Sequence, residues 1–139
     1  IIFGGHPHVV QPSEILEKNG QKKLIIYSMG NFISNQRIET MDGVENAQWT
    51  ERGVLMDVTV EKNKNGTQIK TAQAHPTWVS RREKGSYSPE GYPLYTYQTL
   101  ILEDFIEGGK YRQQLDDATK ERVDSAYQEM KEHIGLHWP

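Results

Sequence analysis

Two histidines one residue apart, His6 and His8, lie in the string Gly4-Gly5-His6-Pro7-His8, directly after the apolar run Ile1-Ile2-Phe3. Neutral imidazole is the commonest metal ligand among side chains, so the pair reads as part of a metal site. His6 precedes Pro7, which disfavours helical backbone and predicts an extended segment, and residues two apart in such a segment face the same side. A rise of about 3.3 Å per residue sets the two backbones roughly 7 Å apart, from which two rings can converge on one ion or serve adjacent ions. Two-metal hydrolytic centres hold their ions roughly 3.5 to 4 Å apart. Gly4 and Gly5 are expected to supply the missing side chains and unusual φ angles of a tight strand-to-loop turn. The same string also reads as a surface loop whose histidines do nothing.

The elements that must position this pair are mostly strands. Glu14–Glu17 and Lys23–Ser28 are apolar-rich runs separated by Lys18-Asn19-Gly20-Gln21-Lys22, and the Asn-Gly pair predicts an antiparallel hairpin. The second run ends in Tyr27-Ser28-Met29-Gly30-Asn31-Phe32, where Gly30-Asn31 can take positive φ, stop the strand sharply and aim Asn31 or Ser28 toward a cleft. Residues 36–52 contain Asp42-Gly43 and little periodicity, which predicts a long exposed loop, a candidate for disorder. From Val54 the pattern alternates, with Val54, Met56, Val58 and Val60 on one face of a half-buried strand. Lys62–Gly66 reads as a polar turn, and Gln68–Ala74 with Thr77–Ser80 as a returning strand interrupted at Pro76. After an irregular stretch from Glu83 to Pro93, Tyr97–Leu102 is a further strand, for five or six in all.

Residues 113–134 change period: Leu115, Ala118, Val123, Ala126, Tyr127, Met130 and Ile134 recur mainly at spacings of three to five. They predict one amphipathic C-terminal helix ending near Gly135, with Asp116 and Asp117 stabilising its positive end. The fold class is therefore α+β, an antiparallel-rich β-sheet with one C-terminal helix, strand-rich over 1–102.

Composition bounds the rest. A chain of 139 residues fits one domain, and 35% hydrophobic residues with three tryptophans and seven tyrosines permit a modest core. The net charge of −3 excludes a nucleic-acid-binding surface as the default reading, and the absence of cysteine excludes disulfides and thiolate metal sites. No stretch approaches the roughly 20 apolar residues of a membrane span.

Taken together, Gly5-His6-Pro7-His8-Val9-Val10-Gln11-Pro12 followed by Leu24-Ile25-Ile26-Tyr27-Ser28-Met29-Gly30-Asn31-Phe32 resembles the bacterial capsule synthesis protein CapA family, also described as poly-gamma-glutamate synthesis proteins. The resemblance is specific over residues 1–34 and not diagnostic beyond about residue 102. That family is similar in fold to the calcineurin-like metallophosphoesterases, so the resemblance implies the second half of a metallophosphatase-like α/β sandwich. It implies metal-ligand roles for His6 and His8, because a Gly-His-x-His string near the end of that superfamily's domain supplies ligands. The superfamily's other ligands, an Asp-x-His, a second Asp and an Asn-His pair, lie upstream of this string and are absent from this chain.

A C-terminal part of a longer domain is accordingly expected, with the missing N-terminal part of the same domain as its first partner. Divalent ions (Mn, Zn or Fe) are expected in the intact parent, with weak or absent binding here, since two neutral imidazoles offset no charge and leave most of a coordination shell to water. No catalytic residue is assigned, and a metal-dependent phosphoesterase-like hydrolase is the enzymatic reading of the parent. The alternative is a non-catalytic scaffold or polymer-binding component of the capsule machinery. Gln11, Glu14 and Asn31 are candidates for orienting the histidines or lining the cleft, with Gly4, Gly5 and Gly30 as backbone turns. His75 is expected to be satisfied locally, and His133 and His137 to suit a helix end. Arg81, Arg82 and Lys84 form a basic cluster that could touch an anionic polymer. An uncovered sheet edge predicts pairing with a second copy. The implied location is the outer face of the bacterial membrane or the extracellular space.

Overall fold

Asn19 and Gly20 both adopt positive φ, 55° and 71°, and close a two-residue turn that pairs Lys18 with Gln21 in the computed structural model, which describes residues 1–139. The turn joins strands β2 (Ser13–Lys18) and β3 (Gln21–Ile26) as the expected antiparallel hairpin. A short strand β1 (Ile2–Phe3) lies parallel to β3 on its other side, giving the order β1-β3-β2. Leu24 and Ile26 are fully buried on one face of this sheet. The opposite face carries Ile2 and Ile25 as a cross-strand pair, with Ile2 59% exposed.

A second sheet is an antiparallel meander of β4 (Arg52–Asn63), β5 (Gly66–Tyr87) and β6 (Pro93–Ile101), in that order. The alternation read from Val54 is present in β4, but burial fades along the strand: Val54 is buried and Val60 is 49% exposed. The interruption expected at Pro76 is absent, and β5 runs through it for 22 residues. Val54, paired with Pro76, donates its N–H to Met29 O instead of into the β4–β5 ladder. That makes Val54–Pro76 a non-hydrogen-bonded pair, in which the proline nitrogen points away from β4. On that far side β6 has already ended, its last pairing being Thr77 with Ile101, so no ladder bond is lost. The stretch expected to be irregular from Glu83 to Pro93 is also mostly strand, with a turn only at Ser88–Tyr92, where Ser88 N–H donates to Tyr92 O.

Helix α1 (Asp117–Ile134) starts four residues later than the periodicity predicts, because Arg112–Gln114 form a separate 3-10 turn. Asp116 is its N-cap, accepting from Thr119 N at 2.7 Å, and Gly135 ends it in the left-handed conformation at φ 60°. Val123, Ala126, Met130 and Ile134 pack its apolar face against Val54, Trp78, Leu100, Leu102 and Phe105. Each large side chain in that core contributes about 1.5–3 kcal/mol by burial. The end of the helix also reaches the first sheet: Ser13 Oγ donates to Ile134 O at 2.8 Å, and His133 Nε2 donates to Val10 O at 3.1 Å.

The segment 36–52 is exposed over most of residues 38–46, as expected, but its flanks are buried and structured, which corrects the expectation of an exposed or disordered loop throughout. It contains two 3-10 turns, Ile38–Thr40 and Ala47–Glu51, and Arg37, Ala47, Thr50, Glu51 and Arg52 are buried. Polar anchoring holds it in place of apolar periodicity. Glu51 accepts from Trp78 Nε1 at 2.9 Å, from Ile38 N at 2.9 Å and from Arg122 Nη2, which ties the loop to β5 and to the helix.

Candidate metal-ligand site at the junction of the two sheets

Beyond the β2–β3 hairpin the two arms stay paired through Tyr27 N–H to Pro12 O and Gln11 N–H to Ser28 O, ending in a bridge between Val10 and Met29. Met29 N–H donates to Gly4 O on the other side, so residues 27–29 are gripped between the two arms of the histidine loop. The chain then crosses to the second sheet, where Gly30 bridges Gly53 and Asn31 N–H donates to Arg52 O. Gly30 has φ 67°, and a Cβ there would lie 2.5 Å from Arg52 O, so both its conformation and the close approach require glycine. The sharp stop expected at Gly30-Asn31 is therefore the joint between the sheets.

Asn31 is 8% exposed and stands under the histidine loop. Its Nδ2 donates to Thr50 O at 2.9 Å, His8 O at 3.2 Å and Gln36 Oε1 at 3.3 Å. Backbone carbonyls only accept, so these partners fix which end of the amide is nitrogen and leave Oδ1 facing His8 Nδ1 at 2.9 Å. In the neutral ring the proton of His8 therefore sits on Nδ1, and Nε2 keeps its lone pair. This is the arrangement in which an outer partner sets the tautomer and orientation of a metal-ligating imidazole.

The histidine backbone is not extended, contrary to the expectation from Pro7. His6 has φ 101° and His8 φ 60°, both in the region that disfavours side chains. Tertiary hydrogen bonds override the local preference, since the loop leaves β1 with Gly4 N–H on Ile26 O and must return as the Val10 arm, with His8 held at both its carbonyl and its ring. Such conformations cluster at functional sites. The unusual φ angles thus fall on the histidines and not on Gly5. Gly4 has a different role: a Cβ there would lie 2.0 Å from Tyr27 O, so the missing side chain permits the close approach of the loop to the strand.

The other residues singled out in the sequence fall elsewhere. Both rings of the pair are solvent-exposed, and His6 makes no side-chain hydrogen bond. Glu14 accepts from Tyr27 Oη, and that bond, with the adjacent negative charge, raises the tyrosine's pKa above its ordinary value. Gln11 is held through its backbone. His75 pairs with Glu103 at 3.3 Å, and His133 packs on Trp49 with ring centroids 4.9 Å apart. Arg81 lies over Tyr95 at 4.2 Å. Thr50 and Gln36, which complete the Asn31 cluster, lie in the segment without periodicity, and no sequence pattern points to them.

As a metal centre the donor set is partial. No three His, Cys, Asp or Glu side chains converge anywhere in the chain. The chemistry of His8 suits one coordination position, with Nε2 free and Nδ1 anchored, while a catalytic zinc takes three protein ligands and a two-metal site more.

The histidine loop is thus anchored by Asn31, an asparagine from the adjoining strand end. The family profile described as Bacterial capsule synthesis protein PGA_cap matches residues 1–36, which include the histidine loop, the hairpin and Asn31. That match bears out the resemblance carried by the two motifs, over 36 of the 139 residues. No curated protein and no solved structure matches the chain.

Proposed function

We propose that this chain is the C-terminal portion of a protein of capsule or poly-gamma-glutamate biosynthesis, contributing His6 and His8 to a metallophosphoesterase-like metal site that residues outside the chain complete. The observation that carries this reading is the 2.9 Å contact between His8 Nδ1 and Asn31 Oδ1, which joins the two strings that define the family resemblance. A bound divalent ion would supply Lewis-acid activation of water or of a phosphoryl oxygen. The chain's own part is to hold the imidazoles, with Asn31 fixing the tautomer of His8.

The missing ligands and an open apolar face favour the same partner, the N-terminal part of the same domain. Ile2, Leu16 and Tyr27 are 59%, 42% and 50% exposed on the face of the first sheet that α1 does not cover. The two-residue β1 is a parallel edge strand, of the kind that α/β sheets extend through covered crossovers. A place at the outer face of the bacterial membrane follows from the capsule process, and no helix here is long and apolar enough to cross a membrane. A non-catalytic scaffold for the capsule machinery is the second reading, which loss of the Asp-x-His and Asn-His ligands from the upstream sequence would favour.

Titration of Mn²⁺ or Zn²⁺ into this chain and into the longer parent tests the proposal. Weak binding here and tight binding by the parent, lost in both with His8→Ala, is expected. Sub-micromolar affinity of this chain alone would contradict the shared site, and a parent that binds no metal would leave the scaffold.

A further inference from the structure

A cleft of about 380 Å³ opens between the end of β5 that follows Trp78, the turn at Ile38–Thr40 and the start of α1. It shares no residue with the His8–Asn31 cluster. Four arginines line it, Arg37, Arg81, Arg82 and Arg122, against two carboxylates, Glu39 and Asp116, in a chain whose net charge is −3. The carboxylates are already engaged. Asp116 caps the helix at Thr119 N, and Glu39 accepts from Arg37 Nε at 2.8 Å and Arg122 Nη1 at 2.7 Å.

The arginines are not fully used. Arg37 is 3% exposed, its Nη1 donates to Val79 O at 3.2 Å, and its Nη2 has no protein partner. The Nε of Arg122 is buried and unpaired. Arg81 gives Nη1 to Asn35 Oδ1 at 3.1 Å and is braced over Tyr95, while the Arg82 side chain makes no hydrogen bond. Ser80 and Thr119 add hydroxyls to the wall. A buried guanidinium with a free edge is costly unless something accepts from it.

We infer that this cleft binds a phosphate- or sulfate-type tetrahedral oxyanion. Its donors approach from a strand, a loop and a helix, which suits an anion presenting three or four oxygens in different directions better than a planar carboxylate satisfied by one guanidinium fork. Glu39 is an internal competitor that occupies Arg37 and Arg122 when the cleft holds no anion.

Calorimetric titration of inorganic phosphate, phenyl phosphate and acetate into the full chain tests this, with circular dichroism checking the fold of each variant. Saturable phosphate binding is expected, weakened about tenfold by Arg82→Gln, at an exposed residue whose side chain makes no hydrogen bond. Glu39→Gln is expected to tighten it several-fold by releasing two guanidinium groups. Tighter binding of phenyl phosphate assigns the site to phosphate esters, and tighter binding of the inorganic ion to free phosphate; either supports the inference. Absence of saturation at millimolar phosphate, acetate binding as tightly as phosphate, or Arg82→Gln and Glu39→Gln both without effect would overturn it. Because no metal is added, failure here is distinguishable from failure of the histidine site.

Discussion

Asn31 does two things at once, holding the tautomer of His8 and satisfying the buried carbonyl of Thr50. Removing it leaves that carbonyl without its donor and frees the imidazole. Asn31→Ala is expected to destabilise the fold by about 1–3 kcal/mol, measured by chemical denaturation. It should also convert the His8 ring from a single Nδ1–H tautomer to a mixture, visible in the imidazole nitrogen chemical shifts. Asn31→Asp keeps the acceptor at His8 but replaces the donor to Thr50 O, so it should retain the tautomer while losing stability. A purely structural asparagine would show the stability loss in both variants and no tautomer change in either. Of this cluster His8 and Asn31 were legible from the sequence, but Thr50 and Gln36 join it only through tertiary folding.

Element by element, the legible parts are those governed by local rules. The Asn19-Gly20 turn, the alternation beginning at Val54 and the three-to-five spacing of the helix each follow from a short window of sequence. What was not legible depends on partners far along the chain. Pro76 is compatible with a long strand only because β6 stops beside it, and the 36–52 segment is ordered by Glu51, Trp78 and Arg122, residues up to 71 positions apart. The glycines of the histidine loop separate in the same way. Gly4→Ala places a Cβ against Tyr27 O and should cost about 1–3 kcal/mol with loss of the β1–β3 pairing. Gly5→Ala meets nothing within 4 Å and should leave the unfolding free energy within about 0.5 kcal/mol of that of the unsubstituted chain. Denaturant unfolding of the two variants side by side checks the assignment; equal effects would contradict it.

At the scale of the whole molecule, ion pairs join what the two sheets do not. Arg37, Glu39, Glu51 and Arg122 link the 36–52 segment to β5 and α1, with Arg37 and Arg122 both over the Trp78 ring. Burial pushes the Glu39 pKa up, but the hydrogen bonds from Arg122 and Arg37 more than offset it and hold the carboxyl at about 2, below its ordinary 4.5. A carboxyl with a depressed folded-state pKa binds protons more readily when unfolded. Its contribution is therefore complete above the ordinary value and lost as pH falls through about 2. Stability measured against pH should decline over that window, and Glu39→Gln should flatten that part of the acid limb while leaving its remainder to Asp116 and Asp124, whose pKa values are also lowered by hydrogen bonds to Thr119 and Arg112.

The central claim is that the histidine loop presents ligands to an ion. Mn²⁺ titrated into the isotopically labelled chain, with paramagnetic broadening read at all five imidazoles, tests it most directly. The account predicts that His6 and His8 broaden first, at metal concentrations well above those the longer parent requires, ahead of His133, whose ring lies beside the loop at Val10 O, and of His75 and His137. Uniform broadening of all five rings, or selective broadening at any of the latter three, would contradict it.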